Sequence, residues 1–125
     1  MTNPFEAFPA LCLRYGRPGH LVHVGAHAGQ EMPYYRQAAA RQITLIEPNP
    51  ELAAGLRVAH PDVDVVDCAC GAAPGRAPLF VTQLSNMSSL SQPDLLLVDR
   101  VVPVDVRRLD EVTPDADTAV IDAQG

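Results

Sequence analysis

The residues best suited to chemistry lie in a loop of small residues and in an acid that follows it. The loop, Gly25–Gly29, comes directly after the apolar run Leu21–Val24. Glycines let backbone N–H groups approach a ligand closely, and the first turn of a following helix adds a positive dipole end. A second apolar run, Ile43–Glu47, ends on an acid that is 22 residues after Gly25. A carboxylate at about that spacing accepts hydrogen bonds from ribose hydroxyls.

The pattern around these residues predicts alternating strands and helices. Strands are expected at three apolar runs, which are Leu21–Val24, Ile43–Glu47 and Val63–Cys70. One helix is expected after the loop, from Glu31 or Met32 towards Arg41, and a second over Glu51–Ala59. Short connections in this order indicate a parallel, right-handed α/β sheet of Rossmann-like type. Its strands are too apolar to alternate, as expected of strands buried on both faces.

The rest of the chain predicts a helix at the edge of the sheet, an inserted pair of strands and a last strand. Phe8, Leu11, Cys12 and Tyr15 have helical spacing, which favours a short helix packed on the sheet edge. Ala77–Val81 and Val101–Val106 are predicted as an inserted pair of short strands, the second an edge strand because Pro103 cannot donate to a ladder. Thr118–Asp122 is predicted as a last buried strand.

Composition excludes several classes of protein. The 125 residues suffice for one domain, and the net charge is −6 without a basic cluster, which disfavours a nucleic-acid partner. No apolar run approaches the roughly 20 residues that span a bilayer, and the N-terminus lacks the pattern of a signal peptide. Three cysteines without framework spacing favour a reducing compartment, so we expect a cytoplasmic protein.

Five segments, in this order, resemble the FkbM-type methyltransferases, a class I family that uses S-adenosylmethionine. The segments are Val24–Gln30, Ile46–Pro50, Ser88–Leu90, Leu109–Val112 and Ile121–Gly125. The resemblance covers about residue 20 to the C-terminus. It implies O-methylation of a small-molecule hydroxyl, on a sugar, a lipid or a secondary metabolite.

The resemblance also implies roles for individual residues. Four loop residues would wrap the methionine part of the cofactor, Glu47 would bind the ribose, and three further residues would lie near the adenine. The loop residues are Gly25, Ala26, His27 and Gly29, and the adenine neighbours are Asn49, Asp67 and Cys68. Asp122, at the tip of the fourth strand, would lie near the reacting methyl group. The family often has an acid where this chain has His23, which changes how the cofactor's amine is held.

A full class I sheet has seven strands, and this chain supplies about four of them. We therefore expect an apparent truncation after the fourth core strand, with residues 1–20 as a lead-in and 21–125 as a partial cofactor-binding domain. A strand left unpaired at the sheet edge predicts self-association through that edge.

Other interpretations of the same residues remain. His20, His23 and His27 are not expected to converge on a metal, because only His23 lies inside a strand. His27 could act as a general base, although a backbone role is favoured. Cys68 and Cys70 are predicted to point to opposite faces of a strand and to serve packing. The alternative functions are a nicotinamide-dependent oxidoreductase half-domain, which usually carries G-x-G-x-x-G, and a non-catalytic truncated fragment.

Overall fold

The computed structural model of the chain describes residues 3–82 and 98–122. The Ser88–Leu90 segment and the last three residues of the Ile121–Gly125 motif lie outside these ranges. In chain order the elements are a 3-10 helix (Pro4–Ala7), α1 (Phe8–Tyr15), β1 (His20–Val24), α2 (Met32–Gln37), β2 (Gln42–Ile46), α3 (Pro50–Ala59), β3 (Asp64–Val66), β4 (Ala69–Cys70), β5 (Gly75–Thr82), β6 (Val98–Arg107), α4 (Leu109–Val112) and β7 (Thr118–Ile121).

Four of the strands form a parallel sheet in the order β3-β2-β1-β7. The central strand β1 is buried along its whole length, because β2 and β7 pair with it on either side and apolar clusters cover both faces. Leu21 contributes to one cluster, with Met32 and Tyr35 of α2, whereas Val22 and Val24 contribute to the other. The mixed α/β architecture with a parallel sheet is therefore confirmed.

The predicted strand Val63–Cys70 is wrong as a single element. β3 ends at Val66, and β4 belongs to a separate three-stranded sheet, where Ala69 and Cys70 pair with β6. The chain leaves the parallel sheet between these strands, because the β6 register at Val106 and Arg107 offers backbone partners that lie far along the sequence.

The inserted strands are longer than the predicted short pair, and the placement of the second one is wrong. β5 and β6 have 8 and 10 residues and pair antiparallel, and β6 lies in the middle of the order β4-β6-β5. Pro103 is tolerated there because β4 pairs only with Val106 and Arg107, so at Pro103 the strand has β5 as its only described neighbour.

Two further predictions fail at the periphery of the sheet. β7 is an edge strand rather than a buried one, and its Ile121 side chain is 68% exposed. Within α1, Phe8 and Cys12 are partly buried, but Leu11 and Tyr15 point to solvent. The helix therefore contacts the core mainly through its first turn, where Phe8 meets Tyr35 edge to face.

The helix α2 begins at Met32 as predicted but ends at Gln37, before the alanines. The N–H of Ala40 bonds the carbonyl of Tyr35, and the N–H of Ala39 bonds that of Arg36, while Ala39 has φ 57°. This pattern is a Schellman motif with alanine at the left-handed position. No helix in residues 3–82 and 98–122 is long and apolar enough to cross a bilayer.

Candidate functional site

The loop after β1 folds over the end of the neighbouring strand β2. Backbone N–H groups of Gly25 and Ala26 both donate to the carbonyl of Ile46, at 2.9 and 3.1 Å. Gly25 has φ 84°, a left-handed conformation that favours glycine. The loop and the acid that follows β2 are therefore brought together at the carboxyl edge of the parallel sheet, where open α/β sheets bind ligands.

Glu47 joins the two loops at this edge. Its Oε1 accepts from the backbone N–H of His27 and its Oε2 from that of Asn49, both at 2.8 Å. The residue is only 6% exposed, and this burial raises the pKa of its carboxyl group, opposed by the two backbone hydrogen bonds. Each carboxylate oxygen has a second lone pair, so the group can accept further donors beside its two backbone partners.

His27 takes part in this arrangement through its backbone. It has φ 55°, unusual for a residue with a side chain, and that conformation directs its N–H to Glu47. Its Nδ1 lies 3.1 Å from Nε2 of Gln30, two residues before α2. The imidazole side chain therefore takes no part in the hydrogen bond that links the two loops.

Ala26 and Gly29 pack the loop rather than line open space. Ala26 is fully buried in the cluster that contains Leu21 and Leu45. A Cβ on Gly29 would lie 2.9 Å from Cδ2 of Leu56 on α3, and the residue has φ 78°. Glycine is favoured at this position because the left-handed backbone strains a residue with a side chain and a Cβ would require the Leu56 side chain to shift.

Asn49 lies at the start of α3 and is almost completely buried. Its Oδ1 accepts from the backbone N–H of Glu51 at 3.0 Å, which caps the helix, while its own N–H binds Glu47. It also forms one wall of a cavity of about 460 Å³, whose opposite wall comes from β5 and β6. Asn49 therefore both binds the Glu47 carboxylate and lines this cavity.

The other two residues implied near the adenine have different surroundings. Asp67 is exposed and pairs with Arg57 of α3 at 3.2 Å, whereas Cys68 is buried in the cluster that also contacts Cys70. The prediction that these thiols face apart is wrong, because Cys68 lies in the break between β3 and β4 and only Cys70 belongs to a strand. A hydrogen bond between the thiols raises the pKa of Cys68, together with burial, and lowers the pKa of Cys70.

Asp122 follows β7, the strand beside β1, and is exposed at the same edge of the sheet. Its backbone N–H donates to the carbonyl of Val24 at 2.9 Å. Its carboxylate is close enough to affect two buried groups below it, His23 and Tyr35.

These two residues form a buried polar pair that the sequence alone does not reveal. The Tyr35 hydroxyl lies 2.7 Å from Nδ1 of His23, and both residues are at most 1% exposed. Burial lowers the pKa of His23 to about 4, against the opposing effect of Asp122. Nε2 of His23 has no hydrogen-bond partner among the described residues. Two spacings in the sequence are consistent with this pair. His23 lies two residues after Leu21, on the same face of β1, and Tyr35 lies three residues after Met32, on the same side of α2.

The remaining histidine of the predicted group has structural partners. His20 places Nδ1 3.0 Å from Asp115 and Nε2 2.7 Å from the Thr44 hydroxyl. Within the two described ranges, no group of three or more His, Cys, Asp or Glu side chains is arranged to hold a metal ion.

The carboxyl edge thus gathers Gly25, His27, Glu47 and Asn49 through hydrogen bonds between the two loops, and Asp122 stands at the end of the adjacent strand. Asp67 and Cys68 follow β3 and are engaged by Arg57 and by the apolar cluster, respectively. A scan against protein-family models, a search of curated proteins and a search of solved structures each found no match.

Proposed function

We propose that this chain is the cofactor-binding part of a class I, FkbM-type methyltransferase with a Rossmann-like fold. The observation that carries the proposal is the bond of Glu47 to the backbone of His27, which joins a glycine loop to an acid across adjacent parallel strands. This is the arrangement in which such folds hold an adenosine. The order β3-β2-β1-β7 also supports it, because the loop lies beside the point where the strand order reverses.

The residues present fit S-adenosylmethionine at Glu47, which retains lone pairs for ribose hydroxyls. The imidazole of His23, in the strand that precedes the loop, is neutral and buried, so it supports the loop from within the fold. The cofactor supplies an electrophilic methyl group, so this chain's task is alignment and exclusion of water.

The reaction would be a direct displacement at that methyl group. The bound cofactor would supply its methyl group to the hydroxyl oxygen of the acceptor, with a new C–O bond replacing the C–S bond, whose electron pair would stay on sulfur as a thioether. The hydroxyl proton would pass to water or to a nearby carboxylate. Asp122 is the candidate for that contact, since it is exposed at the same edge as the loop.

A nicotinamide-dependent oxidoreductase is the weaker alternative. Its fingerprint places glycine two residues after the first loop glycine, so that the backbone can approach a pyrophosphate. This chain has His27 there, and its N–H is already donated to Glu47.

Partners and compartment follow from the same proposal. A small-molecule hydroxyl compound would be the acceptor, and nucleic acid is disfavoured by the net charge of −6. All three cysteines are free thiols, which supports a reducing, cytoplasmic compartment. No described strand pairs with the outer side of β7, which supports self-association of the chain through that edge.

The proposal is tested by thermal melts of the chain with and without S-adenosylhomocysteine. At a hundred times its dissociation constant, a ligand that binds only the folded state adds about 2.7 kcal/mol, which shifts the melting temperature by several degrees. Glu47→Gln should abolish most of the shift, because an amide cannot accept from two backbone N–H groups and the ribose together. Glu111→Gln, an exposed acid on α4, is the matched control and should retain it.

Either of two results would overturn the proposal. A sharp melt that ignores S-adenosylhomocysteine but moves with a nicotinamide dinucleotide would favour the oxidoreductase. The absence of any cooperative transition would favour the truncated, non-catalytic fragment.

A further inference from the structure

Two cysteine side chains meet where the chain passes from the parallel sheet to the second sheet. Cys70 ends β4 and is half-buried, whereas Cys68 lies between β3 and β4 and is only 1% exposed. The two residues pack in one apolar cluster, a hydrogen bond joins their thiols, and neither is in a disulfide. The break between the strands therefore brings together two side chains that would face apart in a continuous strand.

The backbone at this point allows a disulfide between the two cysteines. One residue separates them, so their Cα atoms are at most about 7 Å apart, and disulfides span Cα separations of about 4.4 to 6.8 Å. Cys68 lies outside both strands, whereas β6 holds Cys70 in register opposite Arg107, and the next N–H, that of Gly71, donates to the Arg107 carbonyl at 3.0 Å. A ring closed over a single residue is strained, and strained disulfides are readily reduced again.

The surroundings give the two thiols different roles. The hydrogen bond from the Cys68 thiol lowers the pKa of Cys70, and the guanidinium of Arg107 lowers it further, against the effect of burial. The same hydrogen bond and burial raise the pKa of Cys68. Because the thiolate is the nucleophile, the more exposed Cys70 is the group that attacks, and Cys68 is the thiol that reacts second.

A metal is the other common partner of two adjacent thiols. Protein zinc sites use three or four protein ligands, and within the part of the chain that the structure describes, no three or more His, Cys, Asp or Glu side chains are grouped to hold a metal ion. Oxidation, in contrast, needs only the two sulfur atoms. Redox-sensing cysteines are accessible thiols of low pKa beside a second, resolving thiol, which is the arrangement of Cys70 and Cys68.

We propose that Cys70 and Cys68 form a redox-active dithiol site that reacts with hydrogen peroxide. The Cys70 thiolate attacks one peroxide oxygen, so an S–O bond forms as the O–O bond breaks, and the leaving hydroxide takes a proton from solvent. The Cys68 sulfur then attacks the Cys70 sulfur of this sulfenic acid. An S–S bond forms as the S–O bond breaks, and the Cys68 proton leaves with the hydroxyl group as water. In sum, two thiols and one peroxide give one disulfide and two waters.

The dithiol site lies beneath the carboxyl edge of the parallel sheet. Cys68 packs in the same cluster as Val24 and Ile46, whose carbonyls accept from the backbone of Asp122 and from the loop after β1, respectively. A disulfide that moves the Cys68 side chain therefore alters the support of that edge. The proposal does not depend on the methyltransferase function, because the reaction involves only thiols of this chain and a peroxide.

Oxidation of the full chain by equimolar hydrogen peroxide, followed by alkylation and peptide mass spectrometry, tests the proposal. Cys68 and Cys70 should be joined within one molecule, Cys12 should remain the alkylated residue, and dithiothreitol should restore all three thiols. In the reduced chain, iodoacetamide should alkylate Cys70 at least about tenfold faster than Cys12, because burial raises the pKa of the Cys12 thiol.

Three single substitutions assign the roles of the thiols. Cys68→Ser should leave Cys70 reactive and let dimedone trap its sulfenic acid. Cys70→Ser should slow peroxide modification of Cys68 by about tenfold or more, because that thiol is buried and protonated. Cys12→Ser is the matched control, since Cys12 is likewise half-buried, and it should form the disulfide at the wild-type rate. If Cys68→Ser does not fold by circular dichroism, Cys68→Ala replaces it, and the measurements on the wild type need neither variant.

Several results would overturn the dithiol proposal. These are the absence of a disulfide within the molecule, disulfides that form only between molecules on a non-reducing gel, oxidation of Cys12 as fast as that of Cys70, and undiminished oxidation of Cys68 in Cys70→Ser. Melts with S-adenosylhomocysteine decide the methyltransferase function separately. A melt that ignores this ligand leaves the thiol chemistry standing, and inert thiols leave the methyltransferase standing.

Discussion

His23 is a buried imidazole whose two ring nitrogens have different surroundings. Nδ1 is engaged by the Tyr35 hydroxyl, and Nε2 has no partner in the described part of the chain. Phe5 stacks on the ring at a centroid distance of 6.4 Å, and Tyr35 meets it edge to face. The site therefore holds this imidazole neutral and in one orientation at neutral pH, because burial lowers its pKa to about 4.

This pKa predicts a specific pH dependence of folding. The unfolded chain binds a proton at His23 below pH 6.5, whereas the folded chain does so only near pH 4. The free energy of unfolding should therefore fall as the pH drops through this window, by about 3 kcal/mol for this group. Urea unfolding between pH 7.5 and pH 4 measures it, and His23→Gln should remove that part of the slope. His60→Gln should keep the slope of the wild type; an unchanged slope in His23→Gln contradicts the prediction.

At the candidate site, local spacing gives the positions of residues along the chain but not their packing partners. The loop glycines and Glu47 are proposed from local spacing, because a strand, a turn and a helix follow one another along the chain, whereas Asn49 is proposed from the resemblance alone. The pairing of His23 with Tyr35 depends on how α2 packs on β1, which local spacing does not specify. The contact of Gly29 with Leu56 likewise requires the placement of α3.

Among the elements, α2 shows how a local preference is overridden. Its alanine-rich end favours a helix, yet the chain turns at Ala39 in a left-handed conformation and Arg17 donates to the Ala39 carbonyl. This turn brings the chain into β2, where Arg41 and Gln42 bond the carbonyls of Pro18 and Gly19. The start of β2 therefore determines where α2 ends.

Ala39→Gly should stabilise the protein by about 1 kcal/mol, because glycine adopts the left-handed conformation without the steric cost that alanine bears. Ala54→Gly, at an exposed position inside α3, is the matched control and should destabilise by about the same amount. Urea unfolding of both variants gives the comparison. A loss of stability in Ala39→Gly equal to that in Ala54→Gly would show that α2 does not end in this motif.

Strands test sequence interpretation more severely than helices do. The positions of β1 and β2 follow from their apolar runs, but Val63–Cys70 is divided because Ala69 and Cys70 find partners on β6. Pro103 correctly indicates that β6 has only one described neighbouring strand at that position. It does not indicate an edge strand, because β6 as a whole lies between β4 and β5. Pairing partners of this kind lie more than 30 residues away, so neither propensity nor periodicity specifies them.

For the whole molecule, the two sheets are linked at the start of α3. The parallel sheet supplies the loop and Glu47, and the second sheet places β5 and β6 across from the start of α3. The Arg100–Glu51 ion pair connects the two sides. Asn49 therefore belongs both to the loop that follows β2 and to the wall of the cavity between the two sheets.

The sheet edge at β7 leads to the last prediction. β7 pairs with β1 on one side, no described strand pairs with its other side, and Ile121 is 68% exposed. An unpaired edge is a template for another strand, so we expect concentration-dependent self-association, favoured by salt that screens the net charge of −6.

Sedimentation velocity of the wild type and of Ile121→Lys measures this self-association. The variant should raise the dissociation constant by about tenfold or more, because a lysine on an edge strand opposes pairing. Val58→Lys replaces an apolar side chain on α3 that is 84% exposed, more than Ile121, and should leave association unchanged. A wild type that stays monomeric at all concentrations, or an equal effect of Val58→Lys, would show that the edge of β7 is not the contact.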